Sequence, residues 1–313
     1  MSNTADSSTI IDRTASGTAA DSVTPNTADG SAAQMPAVAP ATRPLGIAVI
    51  GHQGRMGAML AEYWRQAGHT VRGADRGSAS PSAHDLFTEL PAGSLANAIA
   101  REDMREAVQG ADAVALCVPA QAMAAVLSEL VPFMLPTQLL FDITSVKVRP
   151  MLLMERYFAG PVVGTHPLFG PVHLPEDLHV ALTPGNQATD AHLDQVRDLF
   201  ECFNCHCFVT SPEEHDRSVA FVQGLNFISS AAYFASLAHR EELLPFLTPS
   251  FRRRLEGARK LLTEDAGMFQ GFTSANPMTR DAIHTFRLFL DLVERGGLAD
   301  VARQARWWYQ EKD

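Results

Sequence analysis

The stretch Gly46–Gly57, GIAVIGHQGRMG, constrains this chain more than any other. Ile47, Ala48, Val49 and Ile50 are apolar at consecutive positions, which demands cover on both faces and so a strand inside a parallel sheet. Gly51, Gly54 and Gly57 follow, and Met56, Met59, Leu60, Tyr63, Trp64 and Ala67 then repeat with a helical period. A strand, a glycine turn and a helix N-terminus together offer free backbone N–H groups to an anion. That arrangement suits the pyrophosphate of a dinucleotide, so the expected cofactor is a nicotinamide dinucleotide. Its candidate contacts in the loop are Gly51, His52, Gln53, Gly54, Arg55, Met56 and Gly57, with His52 at the first glycine of the usual G-x-G-x-x-G pattern.

Further candidate contacts lie downstream. The first helix ends at Gly68, and a second strand over Thr70–Ala74 ends at Asp75. Its distance from the glycines suits an acid that binds the ribose 2′-hydroxyl, although such a residue also serves as a plain strand-end turn. Arg76 instead suits a 2′-phosphate, and NAD is preferred over NADP. The apolar strand Ala113–Val118 closes on Pro119, which adds Val118 and Pro119 to the cofactor set.

The alternation continues. Met123, Val126, Leu127 and Leu130 mark a helix, Gln138–Ile143 a strand, and Pro150 the first turn of a helix towards Phe158. Val162–Thr165 reads as a strand, and His166–Pro171 as too rich in proline and glycine for regular structure. Val180–Thr183 and Cys207–Thr210 read as strands flanking one more helix. The implied fold is an α/β, Rossmann-type doubly wound sheet over residues 45–210. Ser211-Pro212-Glu213-Glu214 is a capping box, and beyond it the pattern is helical: Pro212–Leu237, Pro249–Phe269, Pro277–Gly296 and a short helix ending near Trp308. Residues 211–313 are thus expected to form an all-α region distinct from the sheet domain. Met1–Pro44, rich in Ala, Thr, Ser, Asp and Pro, is expected to be a disordered tail.

Composition excludes several classes. A formal charge of −10 opposes non-specific nucleic-acid binding and leaves any anionic substrate to locally placed cations. Ser218–Ala238 lacks charged side chains and is long enough for a bilayer, which takes about 20 residues. Gln223, Asn226, Ser229 and Ser230 interrupt it, so a buried or dimer-facing helix is the better reading and no membrane association is expected. No secretory signal is apparent, which with reduced cysteines points to the cytoplasm. Cys202-Phe203-Asn204-Cys205-His206 matches a haem-attachment pattern, and with Cys207 a zinc set. On a strand, however, Cys205 and Cys207 would oppose His206, so no metal is expected.

His166, Ser145 and Lys147 all follow strand ends, where open α/β sheets place ligands. Ser145 reads equally as a helix N-cap and Lys147 as a solvated cation. Arg252, Arg253, Arg254, Arg259 and Lys260 share one helix; Arg252, Arg259 and Lys260 lie on overlapping faces from which one or two could meet a carboxylate.

Taken together, GHQGRMG, Leu140–Lys147 (LFDITSVK), Gly164–Pro171 (GTHPLFGP), Glu214–Asp216 (EHD) and Ala220–Leu225 (AFVQGL) resemble, in order, the prephenate/arogenate dehydrogenase family, most of all prephenate dehydrogenases. The resemblance covers Gly46 to about Phe269. It implies a nucleotide-binding domain followed by a helical domain that forms a homodimer. It also implies NAD(P)-dependent oxidative decarboxylation of prephenate to 4-hydroxyphenylpyruvate, or of arogenate to tyrosine. His166 would take the proton of the ring 4-hydroxyl as hydride leaves, and Ser145 would orient the hydroxyl and His166. Lys147, Gln223, Arg252, Arg259 and Lys260 are the candidate substrate contacts. Three positions depart from the pattern: His52 replaces a glycine, Phe227 stands where many relatives carry histidine, and Lys260 aligns with a substrate-binding arginine. A lysine cannot reproduce the bidentate fork of arginine, so these departures bear on substrate choice. Phe227 and Lys260 also motivate a rival of another class, a non-catalytic dinucleotide-binding protein, which the retained Ser145 and His166 oppose.

Overall fold

Ile47 and Val49 point to one side of their strand and Ala48 and Ile50 to the other, and all four are buried. The computed structural model describes residues 38–75, 99–171 and 178–310 and shows what covers each side. The strands are β1 (Gly46–Ile50), β2 (Thr70–Ala74), β3 (Ala113–Leu116), β4 (Leu139–Asp142), β5 (Val162–Pro167), β6 (His179–Pro184) and β7 (His206–Val209). They form one sheet in the order β2-β1-β3-β4-β5-β6-β7, parallel except where β5 meets β6. One face carries α1 (Arg55–Gln66) and α5 (Asp190–Glu201), whose Leu60, Trp64, Val196 and Phe200 pack on Ile47, Val49, Phe141 and Val163. Trp64 Nε1 donates to Leu199 O at 2.7 Å, satisfying its buried polar atom while clasping the two helices. The other face carries α2 (Arg101–Val108), α3 (Met123–Leu130) and α4 (Val148–Tyr157). This is the doubly wound arrangement expected.

Strand β5 runs two residues further than expected. His166 pairs with Ala181 and Pro167 with Val180, so His166 lies inside the sheet edge rather than in an irregular turn. Proline is tolerated there because it ends the strand, and Leu168 N–H resumes the bonding to His179 O at 2.9 Å.

The expected disordered tail is corrected at its end. Ala39 N–H donates to Cys202 O at 2.7 Å and Ala41 N–H to Ala67 O at 2.8 Å, which satisfies carbonyls at the C-terminal ends of α5 and α1. Residues 1–37 of that tail, and Arg76, lie outside the described residues.

After β7 the described chain is helical. α6 (Pro212–Val219) starts at Ser211, whose side chain accepts the Glu214 N–H. It passes through a π-helical segment, Ala220–Leu225, into α7 (Asn226–Ser236), so the expected single helix is three pieces. α8 (Pro249–Thr263), α9 (Ala266–Ala275), α10 (Thr279–Glu294) and α11 (Leu298–Ala305) follow, and the helix expected over Pro249–Phe269 is broken after Thr263. Among the described residues no helix is long and apolar enough to cross a membrane. Val146, Val219 and Phe272 form a small apolar cluster that seats α6 and α9 against the β4–α4 loop.

Candidate active site

β1 has β2 on one side and β3 on the other, so the chain switches direction across the sheet beyond its C-terminal end. Open α/β sheets bind ligands at that point. Gly51 has φ of +93°, and a Cβ there would lie 2.4 Å from Cys117 O and 3.2 Å from Val118 Cγ1. Only glycine can turn here, and the turn brings the β1–α1 loop against the end of β3. At Gly57 a Cβ would lie 2.3 Å from Gly51 O, so the missing side chain is what lets α1 begin this close to the loop. The N-cap of α1 is Gly54, with no side-chain cap, which leaves the first-turn N–H groups to a ligand. Asp75 Oδ2 accepts the Gln53 N–H at 2.6 Å, placing a carboxylate beside the loop. Arg55, Gln53 and Pro119 are exposed, and Met56 and Val118 are half-buried. This glycine-lined, uncapped cradle fits a dinucleotide.

His52 faces elsewhere. Its ring lies on β2, where a Cβ built on Gly73 would meet its Cγ at 2.3 Å. Its Nδ1 is buried without a hydrogen-bond partner among the described residues.

The second cluster lies at the ends of β4 and β5. His166 is 4% exposed, and its Nδ1 is 2.9 Å from Nε2 of His215 on α6. His215 Nδ1 is in turn 2.8 Å from Asp216 Oδ1. Burial above all, with the Lys147 ammonium nearby, holds the His166 imidazole well below its usual pKa, so it is neutral near pH 7. Ser145 is half-buried in the β4–α4 loop, and among the described residues the hydrogen bond of the His166 ring is with His215.

Lys147 requires a correction. It was expected to bind substrate, yet it is fully buried and its Nζ donates to both oxygens of Asp142 at 2.8 and 2.6 Å. Thr165 O accepts from it at 2.6 Å and Thr144 Oγ1 at 3.3 Å. Asp142 also bonds the hydroxyl of Thr144 and accepts the backbone N–H of Thr144 and Thr165. With this many neighbours, the ammonium has no donor left for a ligand.

The remaining candidates stand further out. Gln223 is half-buried in the π-helical segment, a distortion frequent at functional sites. Arg252, Arg259 and Lys260 are exposed on α8; Arg259 pairs with Glu256 at 3.3 Å, and Arg254 covers the Tyr233 ring at 3.7 Å. Among the described residues, no hydrogen bond or ion pair brings any of the three to His166. Phe227 stacks on Phe269 with centroids 5.2 Å apart.

Sequence reasoning missed His215, Asp216 and Asp142. The EHD and LFDITSVK motifs contained all three, but the contacts that give them a part in the site arise only in the fold. Among the described residues no group of three or more His, Cys, Asp or Glu is placed to hold a metal. Burial instead raises the thiols of Cys202, to about 11, and Cys207, to about 12. Both are far from the thiolate form a metal needs.

Part of the chain is similar to known proteins. Residues 60–209 match the model of the prephenate dehydrogenase nucleotide-binding domain. The T-protein of Haemophilus influenzae is 23% identical over 84% of this chain and 67% of its own length. A probable arogenate/prephenate dehydrogenase of Methanocaldococcus jannaschii is 27% identical over 77% of this chain and 54% of its own. The chain thus spans between half and two thirds of the length of these relatives. The crystal structure of a prephenate dehydrogenase from A. aeolicus, in complex with hydroxyphenyl propionate and NAD+, superposes with a TM-score of 0.66 at 20% identity, covering 85% of this chain and 96% of that one. A Synechocystis arogenate dehydrogenase gives 0.64 at 20% identity, covering 83% and 96%. At that identity the two structures establish the shared fold.

Proposed function

We propose that the chain is a member of the prephenate/arogenate dehydrogenase family and that it oxidises and decarboxylates prephenate to 4-hydroxyphenylpyruvate, with NAD as the cofactor. The observation that carries the reading is His166: a neutral, buried imidazole at a strand end of the sheet that also carries the glycine cradle. A bound NAD, held by the Gly51–Gly57 loop and Asp75, would supply the hydride acceptor for the ring carbon. The chain's own work is to supply a base and to align the reacting groups. The ring hydroxyl gives its proton to His166 as that carbon is oxidised, and loss of the ring carboxylate as carbon dioxide then aromatises the product. A base of this kind contributes roughly 10²–10⁴-fold. His166 is suited to it because its low proton affinity keeps it unprotonated before the step.

Ser145, half-buried in the β4–α4 loop, is the proposed second contact to the hydroxyl. With Lys147 committed to Asp142, the substrate carboxylates fall to Gln223 and to Arg252, Arg259 or Lys260 on α8. Asp75 beside the loop supports NAD over NADP, since a second negative charge there would repel a 2′-phosphate. The proposed organisation is a nucleotide-binding domain at 45–210 and a helical domain at 211–313 through which two copies associate.

Assaying prephenate and arogenate, each with NAD and NADP, tests the reading. The expected result is NADH formation with prephenate and a clear preference for NAD. Preference for arogenate would change the substrate and keep the chemistry. Nucleotide binding without turnover of either substrate would make the chain a non-catalytic dinucleotide-binding protein.

A further inference from the structure

We infer that His215 and Asp216 form a hydrogen-bonded relay behind His166 that fixes which of its ring nitrogens carries the proton, making His215 a positioning residue for the base. The inference rests on the reading of His166 as the base and concerns residues that the proposed reaction does not otherwise use.

The direction of every bond in the relay follows from its far end. Asp216 is fully buried, its Oδ1 accepting the Lys147 N–H at 2.6 Å and its Oδ2 the Val148 N–H at 3.0 Å. Both donors lie at the start of α4, where the helix dipole and unpaired N–H groups favour a negative charge. Backbone N–H groups only donate, so Asp216 is held as an acceptor on both oxygens. The third contact of this carboxylate, 2.8 Å to His215 Nδ1, is therefore donated by His215. A neutral His215 with its proton on Nδ1 has a bare Nε2, and that atom faces His166 Nδ1 at 2.9 Å. His166 Nδ1 must donate in turn, which leaves the lone pair on His166 Nε2. Among the described residues nothing bonds to that atom. The relay thus turns the base towards the substrate side in the one tautomer that can accept a proton.

The framework is braced from several directions. His215 is 3% exposed, its ring set edge-to-face on His166 with centroids 5.1 Å apart. Asn276, also buried, donates to Asp216 O at 2.8 Å, and its own Oδ1 accepts the Met278 N–H at 2.8 Å. The turn between α9 and α10 therefore fixes α6 at the point where α6 carries the relay.

The proton balance is simple. The substrate hydroxyl proton moves to His166 Nε2, and the two Nδ1 protons stay where they are. The imidazolium so formed still donates through Nδ1 towards a chain that ends on a buried carboxylate. In the serine-protease triad a carboxylate plays this part without itself being protonated, and its amide replacement costs about 10⁴-fold in kcat through the wrong tautomer.

Two measurements on the whole 313-residue chain test the relay. In 15N-labelled protein near neutral pH, nitrogen-detected histidine spectra should show His166 and His215 both protonated on Nδ1 and bare on Nε2, with His166→Asn assigning the first. This arm is independent of turnover, so it survives if the proposed reaction is wrong. His166 protonated on Nε2 in the wild-type protein would overturn the relay. In the kinetic arm, His215→Phe should lower kcat by about 10²-fold or more with KM for NAD unchanged. His215→Gln, whose amide oxygen can accept from Nδ1, should recover much of the loss. A purely structural role would instead move nucleotide affinity and thermal stability in step with kcat. A His215→Phe enzyme with wild-type kcat overturns the inference. Should that variant fail to fold, the wild-type spectra and His215→Gln decide.

Discussion

A lysine just past a strand end reads as a surface cation, yet the fold turns Lys147 inward onto Asp142. Removing both from water is costly, and the pair persists because Thr144 and Thr165 satisfy what remains of their hydrogen-bonding capacity. Burial lowers the Lys147 pKa, and Asp142 opposes that shift. The same Lys147 contributes its backbone N–H to Asp216, so one residue braces β4, β5 and α6. Histidines show the reverse economy, being buried neutral. His69 accepts the Leu45 N–H on Nδ1 at 3.1 Å, and burial lowers its pKa as it does that of His166. In both, the folded value lies below the usual 6.5, so on acidification the unfolded chain takes up protons first. Their contribution to stability is fully present above about pH 6.5 and is lost as pH falls through the folded values. Thermal melts should therefore be flat just above neutrality and fall steadily towards about pH 5, with His69→Asn removing part of the slope. A melting temperature that rises over that interval would contradict the assignment.

At the scale of elements, the β1–α1 loop and β2 are coupled through one contact. His52 occupies a position that usually takes glycine, and the opposing residue on β2 is Gly73, whose missing Cβ makes room for the ring. Gly73→Ala should force the ring out and lower both stability and NAD affinity. His52→Gly should restore what Gly73→Ala loses, with a coupling of about 0.5–3 kcal/mol in a double-mutant cycle followed by nucleotide titration. Additive effects would show that the two do not constrain each other. This coupling was invisible in sequence, because nothing marks Gly73 as the partner of His52 until β2 is laid beside β1 in register. The strands themselves were legible, since four-residue apolar runs such as Ala113–Leu116 can be satisfied only by cover on both faces. The end of β5 was misjudged because His166-Pro167 reads as a breaker, whereas a terminal strand proline gives up no ladder bond that β5 needs. Long helices were legible as helices and not as pieces. Apolar periodicity does not separate α from π turns, and no glycine or proline marks the break between Thr263 and Ala266. Ser145 could be picked out because it sits in the loop after β4, and His166 because it lies near the end of β5. His215 could not, since in sequence it is one histidine on an amphipathic helix, and its role depends on a contact 49 residues away.

Over the whole molecule, burial is unevenly distributed. Both faces of the sheet are covered, whereas α7 has no buried residue although it carries Phe227, Ile228, Tyr233 and Phe234. Leu244 is 62% exposed, Phe246 78%, Leu288 54% and Leu290 52%. Apolar side chains gathered at this density on one part of a chain mark a surface that another protein covers. The simplest occupant is a second copy, because a two-fold axis lets one patch meet itself and closes the assembly. This exposure supports the proposed homodimer through the helical region. Sedimentation should give twice the chain mass, and Leu288→Glu with Leu292→Glu, on one face of α10, should reduce it to the monomer. The two sheet cores contain neither residue, so the monomeric variant should still bind NAD. Turnover should fall further than binding, because α8 and its arginines belong to the region that loses its support. A wild-type chain that sediments as a monomer at every concentration would remove the dimer from the proposal. If the double variant stays dimeric, the contact lies instead on α7 and the segment around Phe246.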